Sequence, residues 1–115
     1  MNFPGKQVFL ENFGIEPAEE DPGLALCLYR VRSPLGDTEA EISFSAVSES
    51  FQVRLLCNGR EVMNFASERV KLIEMYRDET GSGIRAVFDV RGVSSEAVVI
   101  LAPEITCRWW LLRTE

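Results

Sequence analysis

The chain has 115 residues, 46% of them apolar and 26% charged, with a formal net charge of −6. That is the size and composition of one soluble globular domain able to build a core without a metal or disulfide staple. It holds no histidine and three cysteines, Cys27, Cys57 and Cys107, none in a CxxC pair, which excludes Ser-His-Asp and Cys-His catalysis, His-containing zinc sites and dithiol redox motifs.

Residues 1–22 read as an irregular N-terminal segment punctuated by Pro4, Pro17 and Pro22, with at most one short element between positions 8 and 13. Residues 23–113 then supply the β core of a single domain spanning 1–115. The first long strand covers 24–32 and closes at Ser33-Pro34-Leu35-Gly36. In the next two runs Ile42, Phe44 and Ala46, then Phe51, Val53, Leu55 and Cys57, recur at every second position, the period of a half-buried strand. Asn58-Gly59 follows at once, and this pair tolerates the positive φ angles of a type I′ hairpin. With these two as the central residues, Leu55 faces Val62, and Phe51, Val53, Leu55, Val62 and Ala66 share the core face.

Residues 68–77 fit either a helix starting after Ser67 or a strand, and the turn-forming stretch 78–83 favours a strand hairpin. Residues 84–90 alternate as a strand. Residues 97–101 are β-branched and suit a buried strand, and 105–112 form the last strand, which carries both tryptophans. The expected fold is mainly β, an antiparallel meander of about seven strands forming a sandwich or a partly closed barrel, with room for one short helix. Its expected core is Ile42, Phe44, Val53, Leu55, Val62, Phe88, Val99 and Ile100. The longest apolar run, residues 97–102, is far shorter than a membrane span, and no signal-like stretch follows the N-terminus. The expectation is a soluble cytoplasmic protein.

Little in the chain carries chemistry. Gly81-Ser82-Gly83 lacks the lysine and the helix of a phosphate loop and reads as a turn. Glu74 interrupts an apolar strand face, and an ion pair with Arg85 would satisfy it. Without a histidine to activate them, the thiols read as reduced and structural. Trp109 and Trp110 point to opposite faces of one strand, so one enters the core while the other meets a second face or solvent. Trp110 is the candidate anchor for a partner.

The charge is unevenly spread. Residues 1–50 hold three basic and nine acidic residues, whereas 51–115 hold nine of each. The entire net charge therefore belongs to the first half. Such a surface repels nucleic-acid phosphates and anionic lipid and attracts a basic protein.

The closing strand Ile105-Thr106-Cys107-Arg108-Trp109-Trp110-Leu111-Leu112 ends a meander of short strands in a small, acidic, histidine-free chain. In these features the chain resembles the small acidic bacterial immunity proteins of polymorphic and contact-dependent toxin systems. The resemblance implies a non-enzymatic protein that uses no cofactor or metal, binds one cognate toxin domain and blocks its active site. It brings no motif from which site residues can be carried over. The partner-binding residues expected from the charge reading are Glu19, Glu20, Asp21, Asp37, Glu39 and Glu41, together with Trp110. No nucleic acid or membrane partner is expected, and the chain is a monomer or a homodimer through an open sheet edge. The competing readings are a small β-barrel carrier of an apolar ligand, an accessory subunit of a larger assembly, and an enzyme using carboxylates alone.

Overall fold

Tight antiparallel hairpins organise the chain in a computed structural model that describes residues 3–34 and 36–111. The expected strand end at Leu112, the expected core end at 113, and Leu35 of the first turn lie outside the described residues. The elements are helix α1 (Lys6–Phe13), β1 (Glu19–Asp21), β2 (Leu26–Arg32), β3 (Thr38–Ser45), β4 (Ser50–Cys57), β5 (Arg60–Ser67), β6 (Val70–Asp78), β7 (Gly81–Val90), β8 (Val93–Ala102) and β9 (Thr106–Leu111). Strands β1 to β5 form one sheet and β6 to β9 a second, each an antiparallel meander in sequence order.

The two sheets enclose one core, built from Tyr29, Ala40, Ile42, Phe44, Phe51 and Val53 on the first and from Val70, Ile73, Ile84, Ala86, Phe88, Ala97 and Val99 on the second. The sheets do not close on each other, so the sandwich holds and the partly closed barrel does not. The expected number of strands rises from about seven to nine among the described residues. Strand β1 has no hydrophobic alternation to reveal it, being Glu-Glu-Asp, and exists because its backbone pairs with β2.

The segment read as irregular also contains α1. This helix ends on Gly14 in the left-handed conformation, whose N–H donates to the Leu10 carbonyl over 2.9 Å. It packs by Phe9, whose ring stacks on Tyr29 at 4.1 Å and on Phe44 at 5.8 Å. Residues 70–78 are strand, not helix, because they pair with β7 along their length.

The Asn58-Gly59 hairpin forms as expected, with φ of 52° and 78°. Its register does not run on as expected. Leu56 still faces Glu61, but Leu55 faces Met63, because a bulge inserts one extra residue, Val62, into β5. One inserted residue reverses the faces of the rest of the strand. Met63 and Phe65 therefore turn toward the core and Ala66 turns outward. Val62, expected in the core, is 60% exposed. Leu55 is half-buried against the core, and Ile100 is buried on the other side of β8, outside the main cluster. Gly81 and Gly83 belong to β7 and not to a turn. A Cβ on Gly83 would lie 1.8 Å from the Val99 carbonyl oxygen, so the bulge there needs a residue without a side chain.

Candidate functional site

The antiparallel register of the first sheet aligns its charged residues in rows across the outward face. Arg30, Glu41, Arg54 and Asn64 lie in one row, and Arg32, Glu39, Leu56 and Glu61 in the next. Each of these residues occupies the polar phase of a strand whose other phase is core, so burial of one face dictates exposure of the other. Opposite charges on neighbouring strands then pair. Arg30 reaches Glu19 at 3.2 Å and Glu41 at 2.8 Å. Arg54 holds Glu41 with one nitrogen and Glu61 at 2.7 Å with another. Arg32 pairs with Glu39 at 3.3 Å. The result is a ladder Glu19–Arg30–Glu41–Arg54–Glu61 running from edge to edge.

Glu41 sits at its centre with a side chain 13% exposed, against 65% for Glu19. The hydrogen bond from Arg30 holds the Glu41 carboxyl below its ordinary value, and Arg54 adds to this against the opposing effect of burial.

Below the ladder the sheet surface dips. Leu28, Ser43 and Gln52 floor a depression of about 440 Å³ walled by Glu41, Arg54 and Glu61. It continues past Ala66 and Ser50 to Glu68 in a second hollow of about 550 Å³ that shares the same floor. Ser43 and Ala66 are small residues in a row with Gln52 between them, which is why the surface sinks there.

The structure divides the six expected acidic residues. Glu19, Glu39 and Glu41 come together on this face. Glu20 lies at the sheet edge, paired with Lys6 of α1 at 2.9 Å. Asp21 accepts the Gly23 N–H at 3.0 Å in the turn before β2. Asp37 is at the β2–β3 turn, where it accepts from Ser33 Oγ at 3.2 Å and lines a cleft with Pro34, Pro103 and Glu104. The sequence reading missed Glu61, Arg30 and Arg54, the other members of the ladder. The spacing that could have revealed them is the hairpin register, which sets Arg54 opposite Glu41 and close to Glu61 on the neighbouring strands.

The two tryptophans point to opposite faces as expected, but neither enters the core. Trp110 is half-buried on the outward face of the second sheet, with the Arg108 guanidinium 5.9 Å from its ring centre. Trp109 faces the core side but lies at the rim, 49% exposed, with its ring 5.5 Å from Phe65. On the same outward face as Trp110, Arg85 bridges Glu96 at 2.7 Å and Glu74 at 2.5 Å, and this is the pairing expected for Glu74. Among the described residues, no group of three or more His, Cys, Asp or Glu is arranged to hold a metal ion. All three cysteines are free and half-buried. Burial pushes the Cys107 thiol up to about 11 and raises that of Cys27.

No family model and no curated protein matches the sequence. The fold is similar to that of a chain in the contact-dependent growth inhibition toxin–immunity protein complex from Klebsiella pneumoniae 342, with a TM-score of 0.85 over 95% of each chain and 19% sequence identity. At that identity the likeness is one of fold, and it matches the resemblance to immunity proteins of contact-dependent toxin systems read from the sequence.

Proposed function

We propose that this protein is a non-enzymatic, immunity-type inhibitor that binds one cognate toxin domain and occludes its active site with an acidic surface. The observation that carries the reading is the likeness, along nearly the whole chain, to a chain of a toxin–immunity complex. The charge distribution supports it. The net charge of −6 comes from the first half of the chain, and three of its acids stand on the rigid strands of one outward face. A cleft that binds an anionic substrate is lined with Lys and Arg. A carboxylate face can oppose those groups, and charges at the rim of such an interface mainly raise the association rate. Glu19, Glu39 and Glu41 are the contacts proposed on the face, with Glu20, Asp21 and Asp37 around it. Trp110 is the anchor proposed for a second contact region. The proposed setting is the cytoplasm, with neither nucleic acid nor membrane as partner.

The test is a search of the adjacent reading frames for a toxin domain, followed by co-purification and growth rescue with it. A stoichiometric complex and abolished toxicity are expected. Failure of both overturns the reading. Reversing Glu19 and Glu39 to Lys should slow association and weaken its salt dependence, while the loss of their single pairs with Arg30 and Arg32 costs about 1 kcal/mol or less each. Glu41 is a poor choice for reversal, since Lys there would face Arg30 and Arg54 across both neighbouring strands.

A further inference from the structure

We infer that the trough on the outer face of the first sheet seats a cationic segment of the partner, an inference that rests on the inhibitor reading above. Three observations converge on it. The trough is concave because Ser43 and Ala66 occupy outward positions where the neighbouring row carries Arg30, Glu41 and Arg54, and Ser50 follows in the row beyond. Its lining stays electronegative after pairing, because Glu41, Glu61 and Glu68 stand against Arg54 in the lining and against Arg30, which also binds Glu41. Arg30 and Arg54 occupy both oxygens of Glu41, so Glu68 and the second oxygen of Glu61 are the acceptors offered to an incoming charge. Leu28, half-buried in the floor, offers apolar surface for the aliphatic stem of a lysine or arginine while its head reaches the carboxylates.

The alternatives on the molecule fit a partner less well. On the outward face of the second sheet Arg85 stands between Glu74 and Glu96, and the apolar side chains of Val98 and Ile100 are already buried, so they offer no surface to an aliphatic stem. In the cleft beside Asp37, the carboxylate is engaged by Ser33 and Thr38. The trough walls, by contrast, are strand residues fixed by ion pairs before any partner arrives, which lowers the ordering cost of binding. A nucleic acid would meet the same negative lining and be repelled.

The variants that decide this are Ala66→Arg, which fills the trough from an exposed position, and Glu68→Lys, which reverses a lining charge. Glu104→Lys, at the other cleft, is the control. Each is first checked for an unchanged melting temperature and then titrated against the toxin domain found in the adjacent reading frames at low and high salt. Ala66→Arg should weaken binding by about 30-fold or more, the effect of losing a central contact. Glu68→Lys should slow association at low salt, and Glu104→Lys should do neither. Wild-type affinity in Ala66→Arg removes the trough and leaves the inhibitor reading standing. If the wild-type protein does not bind that domain, the inhibitor reading fails and the trough is judged on a second probe, a short peptide alternating Lys and Ala. Saturable amide shifts at Ser43, Gln52 and Ala66 that vanish in Ala66→Arg support it, whereas absent or scattered shifts overturn it.

Discussion

Removing the ring that seats the N-terminal helix should take away a large part of the stability of the whole domain. Phe9 is fully buried, stacks 4.1 Å from Tyr29 at an interplanar angle of 15°, and lies 5.8 Å from Phe44 and 6.0 Å from Phe13. Burying a Phe side chain is worth roughly 1.5–3 kcal/mol by transfer, and aromatic pairs add about 0.5–1.5 kcal/mol. The cavity left between helix and sheet adds to the loss, and Phe→Ala in a core costs about 3–5 kcal/mol in total. That is a large share of a stability of about 5–15 kcal/mol for a whole domain. An isolated helix of eight residues is not stable in water. Phe9→Ala should therefore also release α1, lowering the helical signal in circular dichroism while the strands remain.

The assay is equilibrium urea unfolding. With a slope of about 2 kcal/mol/M, the midpoint should fall by about 2 M. Leu10→Ala is the control, since Leu10 is on the same helix but 42% exposed, and it should change stability by no more than about 0.5 kcal/mol. Two outcomes would refute the reasoning. One is a Phe9→Ala loss below about 1 kcal/mol, which would mean that the ring is not the anchor. The other is an equal loss in both variants, which would assign the effect to helix propensity.

Ser95 is fully buried, and its Oγ has no hydrogen-bond partner among the described residues, so Ser95→Ala should leave stability unchanged or raise it by about 1 kcal/mol or more; a clear loss on thermal melting would show that the hydroxyl is bonded. The Glu41 carboxyl titrates below its ordinary value of 4.5 in the folded state, chiefly through the hydrogen bond from Arg30. The unfolded chain thus binds the proton first, and this contribution is present above the unfolded value and is lost as pH falls through the folded one. Urea midpoints should decline with pH in that acidic range, and Glu41→Gln should flatten the decline; an equal slope in both proteins would contradict the ladder. Burial raises the Cys107 thiol to about 11 and lifts that of Cys27, so both should label slowly with a thiol reagent at neutral pH until the protein unfolds, and fast labelling of Cys107 in the native state would refute that placement.

Local chemistry decided much of this architecture. The alternation around Ile42, Phe44, Phe51 and Val53 specifies strands with one buried face, because a strand turns successive side chains to opposite sides. Asn58-Gly59 specifies its hairpin through positive φ angles that few other pairs adopt without strain. Composition alone placed the acidic excess in the first half of the chain.

The rest depended on partners distant in sequence. Val62 left the core because β5 had to bring Phe65 against Phe88 and Trp109, and one bulged residue achieves this while preserving the turn. Residues 70–78, compatible with helix or strand by period, became strand because β7 offered a complete ladder of backbone partners. Strand β1 carries no hydrophobic signal and is held by pairing with β2. The same tertiary register converted an apparent run of free acids into a ladder in which Glu19, Glu39 and Glu41 each meet an arginine from a neighbouring strand. Sequence determines how many charges a chain has. Which of them are neutralised by a neighbour, and which still face a partner, is set by the alignment of strands, since an ion pair needs its two groups within about 4 Å.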